Sequence, residues 1–253
     1  MMQKTLSKEI SFQGNALHTG EVVKVKLIPG AENTGIIFVR EDLECVEIPA
    51  LVKYVNRTDR QTILQKGEAS VGTVEHLMAS LYALGIDNLR IKLNGSEIPI
   101  LDGSAAPLVD LILEAGIEEQ SIEKNFYVLE ETFTFKDEDG SEIMALPSDE
   151  FEVSALIDYG SSVLGPQHAH LDKMVNFRDD IASARTFSFL RELEPLLDAG
   201  LIKGGDLNNA IVYVDQDIAP STLDKLKTAF GRDDVEVTQR GTLNNINLRF
   251  SNE

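Results

Sequence analysis

Cysteine and long hydrophobic runs are what this chain of 253 residues most conspicuously lacks. Cys45 is the only cysteine, so no disulfide forms within the chain and no multi-cysteine metal site exists. No apolar run approaches the roughly 18 to 20 residues that a transmembrane helix needs. Residues 1–9 show neither the apolar segment nor the cleavage site of a signal peptide. We therefore expect a cytoplasmic protein without a transmembrane segment.

Positive charge is also scarce. Lysine and arginine number 23 against 42 aspartates and glutamates, which gives a formal net charge of −19. Proteins that bind nucleic acids depend on Lys and Arg to neutralise phosphates, so we exclude nucleic acid as a partner. An anionic ligand must be bound through local Arg or Lys side chains or helix N-termini.

The hydrophobic content of 43% is enough for a packed core, and the length suits two domains. Val23, Val25 and Leu27 alternate with lysines, which predicts a half-buried strand. The polar, aperiodic residues 118–125 predict a linker between an N-terminal domain (1–120) and a C-terminal domain (126–253). Because strands and helices do not alternate regularly, we predict an α+β fold.

The pattern also predicts individual elements. In the first half, Thr73 is the expected N-cap of a helix that Gly85 ends, and residues 89–93 form a strand. In the second half we predict strands at 151–157 and 210–214, helices at 187–198 (ended by Gly200) and 221–230, and closing strands at 235–237 and 246–250.

Glu75 and His76, in the first turn of the Thr73-capped helix, give the sharpest chemical signal. An imidazole there can bind zinc while the adjacent carboxylate takes a proton from the bound water. The alternative is ordinary, because Glu in a first turn suits the helix dipole and a lone His is usually no ligand.

Other candidates leave two interpretations open. His18 lies in a glycine-bracketed turn and can be a surface residue. His168 and His170 could chelate a metal from one face of a strand, or lie in a solvated loop. The segment 182–187 can hold an oxyanion at a helix entry, or serve as an N-cap followed by a core Phe. No G-x-G-x-x-G or G-K-[ST] phosphate loop is present.

Taken in order, these motifs resemble one family. They are G-x-x-L-H-T-G at residues 14–20, V-G-T-V-E-H-L-M at 71–78, G-I-D-N at 85–88 and N-G-S-E-I-P-I-L-D-G-S-A-A-P at 94–107. R-T-F at 185–187 and G-G-D-L-N-N-A-I-V at 204–212 extend the match. The family is the UDP-3-O-acyl-N-acetylglucosamine deacetylases of lipid A biosynthesis.

The resemblance implies two α+β domains, each a sheet with helices, with the helices packed between the two sheets. It implies a zinc-dependent amidohydrolase that removes acetate from a UDP-sugar bearing an acyl chain. His76 matches a zinc ligand, Glu75 the general base, and Thr186 the hydroxyl that stabilises the tetrahedral intermediate. The implied substrate-binding residues are His18, Phe187, Leu193, Ile202 and Gly205, the last three along the passage for the acyl chain.

Residues 164–171 resemble a branch of the family in which the deacetylase is fused to a 3-hydroxyacyl-carrier-protein dehydratase. This similarity implies a dehydratase domain beyond the C-terminus. Nothing of a dehydratase is present in residues 1–253.

The sequence also departs from the family pattern. Members of the family continue into a helix bearing H-K-x-x-D and a later G-H-A-x-N segment, which supply two further zinc ligands, a substrate-binding Lys and a catalytic His. We therefore expect an incomplete second domain and an isolated chain that is inactive. One alternative is a non-catalytic module that binds a sugar nucleotide or acyl chain. Another is a metal site built from His18, His76, His168 and His170.

Overall fold

The computed structural model describes residues 1–199, 202–239 and 241–244, and these form an α+β fold, as expected. The first half contains strands and two helices: β1 (Met2–Leu6), β2 (Ile10–Asn15), β3 (Val22–Pro29), β4 (Ile36–Arg40), β5 (Val46–Pro49), β6 (Val55–Arg57), β7 (Ile63–Lys66), β8 (Ala69–Val71), α1 (Glu75–Ala83), β9 (Leu89–Leu93), α2 (Ala106–Ala115) and β10 (Ile117–Glu123).

In its described residues the second half contains short strands and three α-helices. In chain order they are β11 (Phe133–Lys136), β12 (Glu142–Ala145), β13 (Val153–Ile157), β14 (Gln167–Leu171), α3 (Phe177–Asp180), β15 (Phe187–Phe189), α4 (Leu190–Asp198), β16 (Ile211–Tyr213) and α5 (Pro220–Phe230). None of the helices in the described residues meets the length and hydrophobicity that a membrane span requires.

A five-stranded sheet organises the first half, with strand order β2-β3-β9-β4-β5. Its pairs are antiparallel except β4 with β9, which run parallel. Val23, Val25 and Leu27 are buried while the lysines between them are exposed, so the predicted alternation is confirmed. Leu77 and Leu81 of α1 pack on this buried face.

Helix α2 contacts both halves of the chain. Its Leu108 and Ile112 belong to the core of the first half. Its Val109 packs in a separate cluster with Leu171 and Phe177 from the second half. The helix therefore lies between the two halves, in line with the implied arrangement.

The start of α1 differs from expectation. Its N-cap is Val74, without a side-chain capping bond, so the assignment of Thr73 as N-cap is wrong. Thr73 instead adopts a left-handed conformation with φ of 53°, and its hydroxyl donates to Glu97 Oε1 at 2.8 Å. The hydroxyl is directed to a tertiary partner, and the helix begins one residue later than predicted. Gly85 follows the helix with positive φ, as predicted.

The predicted linker is also wrong in its first part. Residues Ile117–Glu123 form β10, which pairs antiparallel with β1. The stretch lacks hydrophobic periodicity because its partners are polar: Gln120 accepts from Asn88 Nδ2, and Ser121 N donates to Glu32. The domain boundary itself stays a prediction.

Around residues 187–189 a strand replaces the first turn of a predicted helix. Phe187–Phe189 pairs in parallel with Ile211–Tyr213, and α4 begins only at Leu190. The rings of Phe187 and Phe189 pack against Tyr213, which favours the extended backbone. The Glu192 carboxylate accepts from Phe189 N at 3.3 Å and so starts the helix one residue later.

The other predictions for the second half have mixed outcomes. Strands are confirmed at Val153–Ile157 and Ile211–Tyr213, and the last predicted helix is confirmed as Pro220–Phe230. Residues 235–237 are not a strand, since only Val237 forms a bridge, to Leu243. Gly200 and the predicted strand 246–250 lie outside the described residues.

Large apolar side chains are exposed on the strands of the second half. Every residue of β13 is exposed, including Leu156 at 75%. Phe135 on β11 and Ile143 on β12 are exposed at 63% and 69%. These apolar side chains therefore have no covering layer within the described residues.

The two halves meet at Gly204, and this contact is testable. An ideal Cβ at Gly204 would lie 1.9 Å from the carbonyl oxygen of Ala16, so Gly204→Ala must move one backbone away from the other. We expect a loss of about 1–3 kcal/mol in the free energy of unfolding, measured by chemical denaturation. Gly165→Ala is the control, because its Cβ meets no atom within 4 Å. Equal effects of the two substitutions would contradict the contact.

Candidate functional site

His76 lies in the first turn of α1 and is half-buried. Burial lowers its pKa, and the negative charges of Glu75 and Asp102 oppose that shift only in part. The imidazole is therefore neutral near pH 7, and a neutral imidazole is the form that binds metal ions.

Glu75 is held by the loop between β6 and β7. Its Oε2 accepts a hydrogen bond from the backbone N–H of Thr62 at 3.1 Å. The same loop places Arg60 against the second half, where its guanidinium pairs with Glu192 at 3.0 Å. The loop therefore orients Glu75 and also reaches the start of α4.

Asp102 lies in a tight turn next to His76. Leu101 and Gly103, on either side of it, have φ of 54° and 82°. The backbone N–H and hydroxyl of Ser104 both donate to Asp102 Oδ1, at 3.0 and 2.8 Å. The turn thereby fixes a carboxylate close enough to affect the pKa of His76.

Thr186 is attached to the same turn. Its N–H donates to the carbonyl of Gly103 at 2.8 Å, and its own carbonyl accepts from Ile211 N at 3.0 Å. Gly103 is needed here, since a Cβ would lie 2.0 Å from the carbonyl oxygen of Asn209. The second half thus places Thr186 beside the turn that carries Asp102, while the role of its hydroxyl stays a prediction.

Phe187 follows Thr186 and belongs to an aromatic cluster. Its ring centroid lies 5.5 Å from Tyr159, 5.8 Å from Phe189 and 5.7 Å from Tyr213. Phe187 and Tyr213 line a cavity of about 360 Å³. Its position next to Thr186 suits a residue that contacts substrate, which stays a prediction.

His18 lies in the turn that follows β2. Its backbone N–H donates to the Glu97 carboxylate at 3.1 Å. Its side-chain Nε2 is buried and has no hydrogen-bond partner among the described residues. A buried polar atom without a partner is unusual in a folded protein and fits a group that receives a ligand.

Residues 202–205 pack against the His18 turn. Gly204 N donates to the carbonyl of Leu17 at 3.1 Å. A Cβ at Gly205 would lie 3.8 Å from Ile202 Cγ2 and 3.7 Å from Leu17 Cδ1. Leu193 packs instead against the cluster of Leu190 and its neighbours. The structure thus brings Ile202 and Gly205 together, while the passage that they and Leu193 were expected to line stays a prediction.

His168 and His170 lie on β14 and both line the cavity. The Nδ1 of His170 is 2.8 Å from the hydroxyl of Ser154. In the part of the chain that the structure describes, no three His, Cys, Asp or Glu side chains group so as to hold a metal ion. This weighs against a metal site that combines these two residues with His18 and His76.

Sequence reasoning missed two residues of this region, Glu97 and Asp102. Both lie in the segment 94–107, which contributed only to the resemblance. Asp102 could have been suspected from the D-G-S turn that follows a strand and precedes a helix. The Glu97 carboxylate is buried among backbone groups that are distant in sequence, and no local pattern signals such contacts.

Comparisons with known proteins agree on one family. Residues 3–228 match the family model described as LpxC, UDP-3-O-acyl N-acetylglycosamine deacetylase. A "Bifunctional enzyme LpxC/FabZ" of Bacteroides thetaiotaomicron is 45% identical over all of this chain and 55% of its own length. That of Chlorobaculum tepidum is 44% identical over 99% of this chain and 55% of its own length.

A shorter relative is the UDP-3-O-acyl-N-acetylglucosamine deacetylase of Myxococcus xanthus. It is 46% identical over 83% of this chain and 67% of its own length. The chain spans about half the length of the bifunctional relatives that it matches. It belongs to the UDP-3-O-acyl-N-acetylglucosamine deacetylase family.

The burial of His76 predicts a pH dependence of stability. Because its pKa in the folded protein is lowered from the usual value of about 6.5, the unfolded chain binds this proton first as the pH falls. Above about pH 6.5 the neutral His76 makes its full contribution to the free energy of unfolding. As the pH falls below that value, the free energy of unfolding declines until the pKa of His76 in the folded protein is reached.

We expect His76→Gln to lose this part of the pH slope in the free energy of unfolding, measured between about pH 5 and about pH 8. His170→Gln replaces an exposed histidine and is expected to keep it. A full slope in His76→Gln would show that the ring is not buried in solution.

Proposed function

We propose that this chain carries part of the active site of a zinc-dependent deacetylase acting on UDP-3-O-acyl-N-acetylglucosamine in lipid A biosynthesis. The observation that carries the proposal is the hydrogen bond between Thr186 N and Gly103 O. It attaches the segment bearing a hydroxyl to the turn whose Asp102 lies close to His76. Membership of the family supports the choice of reaction.

The residues present fit one part of a zinc site. His76 supplies a neutral imidazole, but a catalytic zinc site has three protein ligands. The described residues contain no group of three potential ligands. We therefore assign His76 as one ligand and expect the others from residues outside those that the structure describes.

Glu75 is proposed as the general base. With Oε2 held by Thr62 N–H, the carboxylate has a fixed orientation and can take a proton from the attacking water. The water oxygen then bonds to the acetamide carbon, and the proton passes to the departing nitrogen, which leaves acetate and a free amine. The Thr186 hydroxyl is proposed to donate to the oxyanion of the tetrahedral intermediate.

Recognition of the substrate is proposed to involve His18, Phe187 and the residues at 193, 202 and 205. The unpartnered Nε2 of His18 suits a polar group of the sugar, and the face of Phe187 suits its apolar side. Because the chain has a net charge of −19, the diphosphate must be bound through a local cluster of cationic groups.

The bifunctional relatives suggest a second activity for the whole protein. The curated names of two of them join LpxC to FabZ. We propose that the complete protein carries a 3-hydroxyacyl-carrier-protein dehydratase domain in addition to the deacetylase. The exposed apolar faces of β11, β12 and β13 are consistent with further chain packing against the second half.

A non-catalytic module that binds a sugar nucleotide or acyl chain is the second candidate for the isolated chain. The absence of three grouped metal ligands among the described residues favours it. Zinc content and acetate release separate the two functions, since a binding module contains no stoichiometric zinc and releases no acetate.

Three variants of the full-length protein test the assigned roles. Glu75→Gln is expected to lower kcat by about 10²- to 10⁴-fold with zinc content unchanged, because only the base is lost. His76→Ala is expected to lose both zinc and activity. The double variant His168→Ala/His170→Ala is the control and should retain both, measured by metal analysis and acetate release. Loss of zinc in the double variant as well as in His76→Ala would support the four-histidine site instead.

The chain of 253 residues by itself is expected to bind zinc weakly and to release acetate only at the background rate. The reason is that the described residues bring one imidazole to this site, where three ligands are needed. Calorimetric titration with zinc and an acetate assay check this. A rate comparable to that of the full-length protein would show that the further ligands are not required.

A further inference from the structure

Glu97 is a buried carboxylate that the proposed chemistry does not use. It is 2% exposed and lies between β9 and α2. No ion pair to Glu97 occurs among the described residues, although burying an unpaired charge is costly. Such a group persists in a fold when enough hydrogen-bond donors converge on it.

Three neutral donors converge on this carboxylate. The backbone N–H of His18 is 3.1 Å from both oxygens, and the N–H of Thr19 is 3.0 Å from Oε2. The Thr73 hydroxyl is 2.8 Å from Oε1. Bonds to an ionised acceptor are stronger than bonds between neutral groups, so Glu97 ties together the turn with His18 and the residue before α1.

Thr73 is strained, and Glu97 explains how the strain is maintained. A φ of 53° is unfavourable for a β-branched residue. The hydroxyl has one proton and two acceptors, Glu97 Oε1 at 2.8 Å and Gln61 Oε1 at 3.2 Å. The shorter bond goes to the charged group, so the carboxylate holds Thr73 in the conformation that starts the helix at Glu75.

We infer that Glu97 is a positioning residue, which sets the places of His18 and of the Glu75–His76 pair through one buried carboxylate. The inference rests on the proposed function for the importance of those residues. Glu97 itself contacts backbone amides and a hydroxyl rather than the reacting groups. Its removal should therefore alter two separate segments at once, the turn at 16–20 and the start of α1.

Glu97→Gln tests this in the chain of 253 residues. The amide keeps the size of the side chain but loses the charge and replaces one acceptor oxygen with a donor that faces N–H groups. The chain has four histidines, so their ring signals can be followed by ¹H–¹⁵N NMR at one pH. The signals of His18 and His76 are expected to move, and those of His168 and His170 to stay in place.

Amide hydrogen exchange gives the second measurement. The amides of His18 and Thr19 should exchange at least about tenfold faster in Glu97→Gln, because each loses a bond to a charged acceptor. Glu97→Asp keeps the charge with a shorter reach and is expected to give smaller changes at the same residues.

Asn88→Asp is the matched control. Asn88 is 1% exposed and donates hydrogen bonds to Gln3 and Gln120. It follows the C-terminal end of α1, whereas His76 lies at the N-terminal end. The substitution should destabilise the domain without moving the His18 and His76 signals.

Unchanged signals in Glu97→Gln, or equal shifts in Asn88→Asp, would overturn the inference. So would failure of both Glu97 variants to fold while Asn88→Asp folds. None of these measurements uses zinc or acetate release, so the result is independent of the deacetylase proposal.

Discussion

Direct backbone contact between the two halves of the chain is the constraint on which the candidate site depends. Thr186 N bonds to Gly103 O, and Gly204 N bonds to Leu17 O. At both glycines a Cβ would lie 2.0 Å or less from a carbonyl oxygen of the other half. Any side chain would therefore separate the segments. With glycine in both places, Thr186 reaches the turn of Asp102, and residues 202–205 reach the turn of His18.

The environment of His76 combines opposing electrostatic effects. Burial disfavours the imidazolium, while Glu75 and Asp102 favour it, and burial is the larger effect. A ring that is neutral but flanked by carboxylates is suited to bind a cation, since the ligand atom is free and the surrounding charge is negative. The backbone around the site is strained at Thr73 and Leu101, and strain of this kind is concentrated at functional sites.

The sequence predicted those features that depend on local patterns. Alternation predicted β3, and the local pattern also predicted β9 and the helix that ends at Gly85. Predictions failed where tertiary contacts override local preference: the Thr73 hydroxyl binds Glu97 rather than capping its helix, and the backbone of Phe187 joins a strand because Ile211 lies beside it. Residues 117–123 form a strand through polar partners that periodicity does not detect.

The same distinction applies to the site. Glu75 and His76 were recognisable from the motif at 71–78, and Thr186 from its similarity to the family. The contributions of Asp102 and Glu97 arise from contacts across the fold, the latter spanning 79 residues to His18, and a single sequence contains no direct sign of them. The candidate residues were therefore recognisable from the sequence, while the groups that contact and orient them required the structure.

The most direct test of this account is amide hydrogen exchange at Thr186 and Gly204 in the native protein. Both N–H groups bond across the contact between the halves, so both should exchange slowly and with similar opening free energies, because one separation exposes both. Fast exchange at Thr186, with protection retained in β3 and β9, would show that the second half does not hold Thr186 against the turn that carries Asp102.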